Sequence, residues 1–295
     1  MSSSSRRRFL QQCALGSAAL GLSSVSAIEP IQRNGAPKFK FSLAAYSYRN
    51  LFKSGEAKLS DFIADCARMG LEGTELTSYY FPEKVTGEYL RSLKQQCFRL
   101  GLDVSGTAVR NDFCNEDPAK LKQDIEHVKR WADYAEILSA PVIRIFAGKV
   151  KGDPRQAHKR MVRCMEECCE YAGKRGVHLA LENHGGPTST AEGLLKLVKD
   201  VQSPWFGVNL DTGNFHTEDI YGDLEKVAPY ALNVQIKVVV SGPERKNPRP
   251  ADFTKLAKIL RDVHYRGYVV LEYEENGDPR QESAKYIEQL RTAFA

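Results

Sequence analysis

The sequence predicts a single α/β domain, a parallel (β/α)8 barrel. Eight short apolar segments alternate with segments of helical periodicity, which is the pattern of repeated strand–helix units. Several apolar segments end in a carboxylate or amide residue, as barrel strands do where they meet a functional site. The chain has 295 residues, and about 250 are enough for one such barrel. We therefore expect one domain rather than two smaller ones.

The first half of the chain supplies four strand–helix pairs. The predicted strands are Phe39–Ala44, Gly73–Thr77, Asp103–Ala108 and Val142–Phe146. The predicted helices are Leu59–Met69, Glu88–Leu100, Pro118–Leu138 and Pro154–Lys174. In the first helix Phe62, Ile63 and Cys66 fall on one apolar stripe. Asp117 is predicted to cap the third helix, because Pro118 then takes the first helical position, where its missing N–H is not needed.

The second half supplies the other four pairs. Its strands are predicted in Val177–Gly186, which runs out into a glycine pair, and in Phe206–Leu210, Leu232–Val240 and Gly267–Tyr273. Its helices are predicted at Ala191–Lys199, around Leu224–Val227 before Pro229, at Phe253–His264 and at Glu282–Phe294. The loop Ser241–Pro250 contains three prolines and several charges. It is either a lid over the site or a solvated charged segment.

Four strands of the second half end at residues whose oxygens can bind a metal ion. These residues are Glu182, Asp211, Gln235 and Glu272, spaced by 29, 24 and 37 residues. Each spacing is close to the roughly 30 residues of one strand–helix–strand unit, so parallel strands place all four on one rim. Oxygen ligands suit a hard divalent ion such as Mg or Mn, with Co or Zn as borderline alternatives.

Charge and composition exclude some classes of function. Hydrophobic residues make up 42% of the chain and charged residues 27%, which is ordinary for a globular protein. Removing Arg6, Arg7 and Arg8 with the leader lowers the formal net charge from +5 to +2. A net charge this small does not indicate a nucleic-acid-binding protein. Six cysteines remain after the leader; Cys164 and Cys168, one helical turn apart, are either a thiolate pair or small core residues.

The first 27 residues are interpreted as a twin-arginine signal peptide. Ser5-Arg6-Arg7-Arg8-Phe9-Leu10 fits the twin-arginine pattern, a modest apolar run follows, and Val25-Ser26-Ala27 offers small residues for cleavage. An uncleaved anchor is the alternative. Residues 28–38 are predicted to be a linker and residues 39–295 the barrel. We expect a periplasmic or secreted protein without stable membrane association after cleavage.

Three motifs resemble the xylose-isomerase-like TIM barrel superfamily. They are Leu181-Glu-Asn-His-Gly-Gly186, Asn209-Leu-Asp-Thr-Gly-Asn214 and Val270-Leu-Glu-Tyr-Glu274. The superfamily includes sugar isomerases and epimerases, inosose dehydratases and nucleases of the endonuclease IV type. In its sugar epimerases a divalent ion is held by Glu, Asp, His and Glu, which correspond here to Glu182, Asp211, Gln235 and Glu272. The chain departs from the pattern at Gln235, where the relatives have a histidine. Its amide oxygen favours Mg or Mn over Zn. The alternative is that the metal-binding role of this position has been lost.

The resemblance also implies roles for the remaining polar residues. Glu182 and Glu272 are expected to remove and return a substrate proton, with a salt bridge at the rim as the alternative. Lys237 shares a strand face with Gln235 and is expected either to stabilise an enolate or to pair with Glu272 or Glu274. Further substrate contacts are expected from four side chains: His184, Asn214, Arg144 and Glu75. A structural role is the alternative for His184, and pairing with another charged group is the alternative for Arg144 and Glu75. Glu274 joins them or supports Glu272.

Three classes of function follow from this interpretation. The first is a metal-dependent isomerase or epimerase of a sugar or keto-sugar, or, by the same proton abstraction, a lyase or dehydratase of a 3-keto-glycoside. The second is a barrel that binds carbohydrate without catalysis. The third, phosphodiester cleavage, is disfavoured by the six histidines of the whole chain. The expected partner is a small carbohydrate, with assembly into a homo-oligomer left open.

Overall fold

The computed structural model describes residues 28–295 and arranges them as a closed barrel of eight parallel strands. The strands are β1 (Lys38–Ala44), β2 (Gly73–Thr77), β3 (Asp103–Ala108), β4 (Val142–Ile145), β5 (His178–Glu182), β6 (Phe206–Asp211), β7 (Ala231–Ile236) and β8 (Arg266–Leu271). Each strand pairs with its neighbours in the chain, and β1 pairs with β8 to close the ring. The predicted (β/α)8 fold is confirmed. The twin-arginine segment lies outside the described residues.

Within residues 28–295, eight helices of eight or more residues surround the barrel. They are α1 (Leu59–Arg68), α2 (Gly87–Arg99), α3 (Pro118–Leu138), α4 (Pro154–Gly173), α5 (Ala191–Asp200), α6 (Ile220–Val227), α7 (Phe253–Asp262) and α8 (Pro279–Phe294). From α2 to α8, each begins at an Asp or Thr whose side chain accepts a backbone N–H of the first turn. Asp117 caps α3 in this way, as predicted, and Asp153 and Asp278 repeat the Asp-Pro start. These caps satisfy amide groups that a helix cannot bond internally.

Three predicted boundaries differ from the observed ones by three or more residues. Helix α8 begins at Pro279 rather than Glu282, and α6 begins at Ile220, four residues before Leu224. The seventh strand ends at Ile236, because the next backbone N–H, that of Lys237, donates to the Thr212 hydroxyl at 3.0 Å instead of continuing the ladder. Residues Val239–Val240 then form a short antiparallel ribbon with Arg249–Pro250.

Two short elements after β1 were not predicted. A 3-10 helix covers Ala45–Tyr48, and a six-residue α-helix covers Arg49–Ser54. Tyr48 packs its ring edge-on against Phe62 of α1, with ring centroids 5.1 Å apart. This contact holds the segment after β1 against α1.

The apolar core lies between the barrel and its helices. The apolar faces of the helices are buried there, and so are the six cysteines of the described residues, which are unpaired. Burial raises the pKa of both Cys164 and Cys168. Their interpretation as core residues is confirmed. Within residues 28–295 no helix has the length and apolar character needed to cross a bilayer.

Candidate active site at the carboxyl end of the barrel

A cavity of about 540 Å³ lies at the carboxyl ends of the barrel strands. Seven of the ten residues predicted for the site line it: Arg144, Glu182, His184, Asn214, Lys237, Glu272 and Glu274. The other three, Glu75, Asp211 and Gln235, are fully buried in the barrel. The predicted side chains therefore form two layers, a wall around the cavity and a polar layer within the barrel.

The Lys237 side chain reaches from the end of β7 into a group of carboxylates. Its ammonium group contacts Glu272, lies 2.9 Å from Glu274 Oε1 and lies 3.5 Å from Asp211 Oδ2. The Lys237 side chain is 8% exposed, so water screens these charges weakly. Burial alone lowers the pKa of Lys237, but the surrounding carboxylates outweigh it and raise that pKa well above the usual range. Lys237 is therefore a permanent cation in the cavity wall.

Arg144 on β4 holds Glu182 at the end of β5. Arg144 Nε lies 2.8 Å from Glu182 Oε2, and both side chains are about 95% buried. A guanidinium nitrogen of Arg144 also donates to the backbone oxygen of Val109 at 2.7 Å. The other oxygen of Glu182 accepts the side-chain N–H of Asn214 at 2.9 Å. The Glu182 carboxyl group is thus fixed from two sides.

Glu182 and Glu272 occupy opposite electrostatic environments. Burial raises the pKa of Glu182, and this outweighs the opposing effect of Arg144. Burial alone would raise the pKa of Glu272 too. The charge and hydrogen bond of Lys237 outweigh burial and lower the pKa of that carboxyl group. Strands β5 and β8, which deliver the two residues, are three steps apart in the ring of eight. The cavity therefore has an acid and a base on different sides, an arrangement suited to proton transfer.

Gln235 belongs to a closed ring of hydrogen bonds inside the barrel. Its side-chain N–H donates to Glu75 at 2.8 Å, and its oxygen accepts from Asn209 at 2.7 Å. Asn233 completes the ring by donating to Asn209 at 2.9 Å and to Glu75 at 3.2 Å. Burial raises the pKa of Glu75 to about 7. Both polar ends of the Gln235 amide are therefore used within the barrel.

Asp211 connects the interior layer to the cavity wall. Its Oδ1 accepts the backbone N–H of Gly213 at 2.8 Å. Asn183, the residue after β5, clamps the Asp211 backbone by donating to its oxygen and accepting from its N–H, both at 2.9 Å. Asp211 Oδ2 is buried and accepts no hydrogen bond. This oxygen is held in place but incompletely satisfied.

The predicted metal ligands do not fit a divalent ion in this arrangement. Within residues 28–295 no three or more His, Cys, Asp or Glu side chains are grouped so as to hold one. The Lys237 ammonium lies between Asp211 and Glu272, Arg144 binds Glu182, and the Gln235 oxygen is used by Asn209. The positive charge beside these carboxylates therefore comes from the side chains of Lys237 and Arg144.

His184 and Glu274 complete the predicted wall. The His184 ring lies against Phe146, with centroids 4.3 Å apart. Burial, followed by the charges of Arg144 and Lys237, lowers the pKa of His184 to about 4, so its ring is neutral at pH 7. Glu274 stands at the rim with 40% of its side chain exposed. A neutral imidazole and an exposed carboxylate can both hydrogen-bond a hydroxyl group.

Several cavity residues were not predicted. Tyr79, Arg110, Asn111 and Lys149 line the cavity from the segments after β2, β3 and β4. Arg110 stacks on Tyr79, with its guanidinium carbon 4.9 Å from the ring centroid. The rule that strand ends face the site applies to these strands as well. Applying it to all eight strands would have found this half of the wall.

Comparison with known proteins places the chain in a recognised group. A family model described as xylose isomerase-like TIM barrel matches residues 63–292. No curated protein matches the chain in sequence. The matched residues include β2 to β8 and two of the carboxylates that line the cavity, Glu182 and Glu272.

Solved structures share the fold at low sequence identity. D-psicose 3-epimerase from Clostridium cellulolyticum H10, solved with D-tagatose, has a TM-score of 0.72 and 17% identity, covering 86% of this chain and 99% of that one. An L-ribulose 3-epimerase gives 0.68 and 17%, with 86% and 95% covered. A probable 3-DHS dehydratase of petrobactin synthesis from Bacillus anthracis gives 0.65 and 20%, with 84% and 98% covered.

Proposed function

The chain belongs to the xylose isomerase-like TIM barrel family, and from this membership we propose that it is an enzyme acting on a small carbohydrate. The proposed reaction is enolisation, in which a proton leaves the carbon beside a carbonyl group. Returning the proton to the opposite face gives an epimer, and returning it to the neighbouring carbon gives an isomer. Sugar epimerases of the same fold support this choice.

The observation that carries the proposal is the placement of Glu182 and Glu272 in one cavity. They reach it from strands three steps apart, so a bound sugar ring can have one carboxyl on each side. Glu272 is the proton acceptor in this scheme, and Glu182 donates on the other side. General acid–base groups placed in this way contribute about 10² to 10⁴ in rate.

The other polar residues of the wall are proposed to orient the substrate. Asn214 and Arg144 fix Glu182, while His184 and Glu274 present groups that can hydrogen-bond hydroxyls. Glu75 acts indirectly, because it lies beneath the cavity and bonds Gln235. The cavity is large enough for a monosaccharide.

Elimination is the second proposed outcome of the same first step. If the carbon beyond the enolate carries a leaving group, its departure gives an unsaturated product instead of an epimer. A 3-keto-glycoside is such a substrate. A dehydratase among the solved structures of the same fold favours keeping this outcome in the test.

The metal-dependent form of the reaction takes second place in our proposal. It is favoured by Asp211 Oδ2, a buried oxygen without a hydrogen bond. It is disfavoured by the engagement of Glu182, Glu272 and Gln235 with groups of the protein. A Mn or Mg ion there would require Lys237 to move out of its contact with Glu272.

We also propose that residues 1–27 direct export and that residues 28–37 link them to the barrel, whose first strand begins at Lys38 rather than Phe39. Export by the twin-arginine route would make environmental carbohydrates the substrates. Mass spectrometry of the periplasmic protein tests this, because cleavage after Ala27 leaves Ile28 as the first residue. A full-length product in the cytoplasm is the contrary result.

Proton exchange in deuterated water tests the enolisation. The purified protein is incubated with hexuloses, pentuloses and a 3-keto-glycoside, and deuterium beside the carbonyl is followed by NMR. We expect incorporation by the wild-type protein and a loss of about 10² or more with Glu182→Gln or Glu272→Gln. Glu170→Gln, at an exposed carboxylate on α4, is the matched control. Exchange that survives both active-site substitutions would contradict the proposal, as would no exchange with any substrate.

A further inference from the structure

We propose that the Lys237 ammonium serves as the built-in electrophile of this site and takes the place of a divalent ion. The inference rests on the proposed enolisation. An enolate forms only if its oxygen is stabilised as the charge develops, and a fixed cation beside that oxygen supplies this stabilisation. In the described part of the chain, Lys237 is the cation that lies between the two carboxylates predicted to share a metal ion, Asp211 and Glu272.

The position of the ammonium group supports this role. It has three N–H donors, and the contacts to Glu272 and Glu274 use two of them. The third is not satisfied by Asp211, whose Oδ2 is 3.5 Å away and accepts no hydrogen bond. Lys237 also lines the cavity. A donor is therefore available to a substrate oxygen.

The loop after β6 leaves space for the Lys237 side chain. A Cβ atom at position 213 would lie 2.5 Å from Lys237 Cγ and 2.7 Å from its Cβ, so only glycine fits there. The backbone N–H of Lys237 is held by Thr212 Oγ1 at 3.0 Å. Thr212 and Gly213, in the loop after β6, therefore fix the backbone N–H of Lys237 and the Cβ and Cγ atoms of its side chain. A preorganised group of this kind needs little reorganisation during reaction.

The chemistry balances without a cofactor. The Glu272 carboxylate takes the proton from the carbon, and the C–H electron pair becomes the C=C bond of the enolate. The carbonyl π pair moves onto the oxygen, which accepts an N–H of Lys237 while the lysine keeps its proton. Return of a proton from Glu182 or Glu272 restores the carbonyl. No oxidant or reductant takes part.

The inference is tested first on the wild-type protein. After dialysis against EDTA, its metal content is measured by plasma mass spectrometry and Mn²⁺ is titrated by calorimetry. We expect no stoichiometric metal, no saturable Mn²⁺ binding and undiminished exchange activity. Saturable binding of one Mn²⁺ overturns the inference, and so does exchange that EDTA removes and Mn²⁺ restores.

The second test removes the ammonium group. Lys237→Met keeps most of the side chain but removes the ammonium group, and we expect a loss of about 10² to 10³ in the exchange rate at saturating substrate. Lys129→Met, at a half-buried lysine that pairs with Glu167 outside the cavity, is the matched control. Lys237→Arg keeps a cation, and we expect it to recover part of the rate. A Lys237→Met protein that is folded by circular dichroism and fully active overturns the inference.

The two proposals fail in different ways. If no substrate exchanges under any condition, the proposed function fails, and the metal measurements on wild type still decide whether a divalent ion occupies the site. If exchange occurs but depends on Mn²⁺, the proposed function stands and the role of Lys237 fails. If Lys237→Met does not fold, Gly213→Ala replaces it as the perturbation of the same side chain. Full activity of that variant, despite displacement of Lys237, overturns the inference.

Discussion

Gln235 on β7 donates its side-chain N–H to Glu75 on β2 across the barrel interior, at a distance of 2.8 Å. The two residues are 160 positions apart in the chain. The oxygen of the same amide accepts from Asn209 at 2.7 Å. At the position where related epimerases are expected to carry a histidine ligand, this chain has a residue committed to an internal network. A change there should therefore affect stability first.

Gln235→Met tests this structural role. The substitution keeps the volume but leaves the side-chain N–H of Asn209 without its acceptor and Glu75 Oε1 without its donor. Each buried polar group left unpaired costs about 1–3 kcal/mol, so we expect the free energy of unfolding to fall by about 2–4 kcal/mol. Urea denaturation followed by circular dichroism measures it. Gln95→Met, at an exposed position of α2, is the control; equal stability of the two variants would show that the ring contributes nothing.

Gly213→Ala tests the space that the loop leaves for Lys237. The new methyl group would lie 2.5 Å from Lys237 Cγ, so the side chain must move away from Glu272. We expect the exchange rate to fall about tenfold or more, by loss of a preorganised donor. Gly87→Ala is the control, because its methyl group meets only the flexible end of Arg91. Equal rates in the two variants would contradict the positioning of Lys237 by this loop.

Arg144→Met tests the buried pair with Glu182. Removing one partner of a buried ion pair leaves an uncompensated charge, which costs about 3–5 kcal/mol. Proton uptake by Glu182 relieves part of this, so we expect a loss of about 3 kcal/mol in the free energy of unfolding. The double variant Arg144→Met with Glu182→Met should recover at least half of the loss. Additive effects of the two substitutions, with no recovery, would exclude coupling between these side chains.

The sequence was sufficient to predict the barrel because its strongest signals are local. Each strand is a short apolar segment, and the start of a helix such as α3 has a capping residue, Asp117 before Pro118. The boundary at the end of β7, which was wrong by four residues, depends on the Thr212 hydroxyl, which accepts the backbone N–H of Lys237. That contact joins two loops, and a pattern within one segment cannot contain it.

The sequence predicted which residues belong to the site better than it predicted which of them contact one another. The strand-end rule selected Glu182, Lys237 and Glu272, which share one cavity in the structure. It gave no orientation for the Gln235 amide, because this depends on Glu75, a residue of another strand. Whether carboxylates face an ion or a lysine is a question of three-dimensional distance. Spacing along the chain predicts the rim on which they meet, and their partners emerge only from packing.

Asp103→Asn tests a pH dependence at the amino-terminal side of the barrel. The Asp103 carboxylate accepts from Lys40 at 2.6 Å and from Tyr268 at 2.5 Å, and these bonds lower the pKa of Asp103. A lowered folded-state pKa stabilises the fold fully above the unfolded value, and the contribution is lost as the pH falls through the folded value. Because Asp103 is 62% exposed, we expect only about 0.5 kcal/mol at pH 7.

The measurement is urea unfolding of wild type and Asp103→Asn at pH 7 and at about pH 3, below the ordinary aspartate pKa. The difference between the two proteins should shrink at the lower pH. Glu83→Gln, at an exposed carboxylate, controls for the removal of one negative charge. A difference that grows as the pH falls has the wrong sign and would contradict the assignment to Asp103.

Lys237→Ala is expected to open a metal site at the point that the Lys237 ammonium group occupies in the wild-type protein. Removing the ammonium leaves carboxylate oxygens of Asp211, Glu272 and Glu274 around the point that Lys237 Nζ occupied, all within 3.5 Å of it. Three carboxylates without a counterion repel one another, and a hard divalent ion relieves this repulsion. We expect calorimetry to detect one Mn²⁺ per chain in this variant, together with a rise in the melting temperature on adding Mn²⁺. Lys129→Ala should show neither effect. If Lys237→Ala binds no Mn²⁺, then protonation or rotation of the carboxyl groups compensates for the missing cation, and the lysine is not replacing an ion in the electrostatic sense proposed.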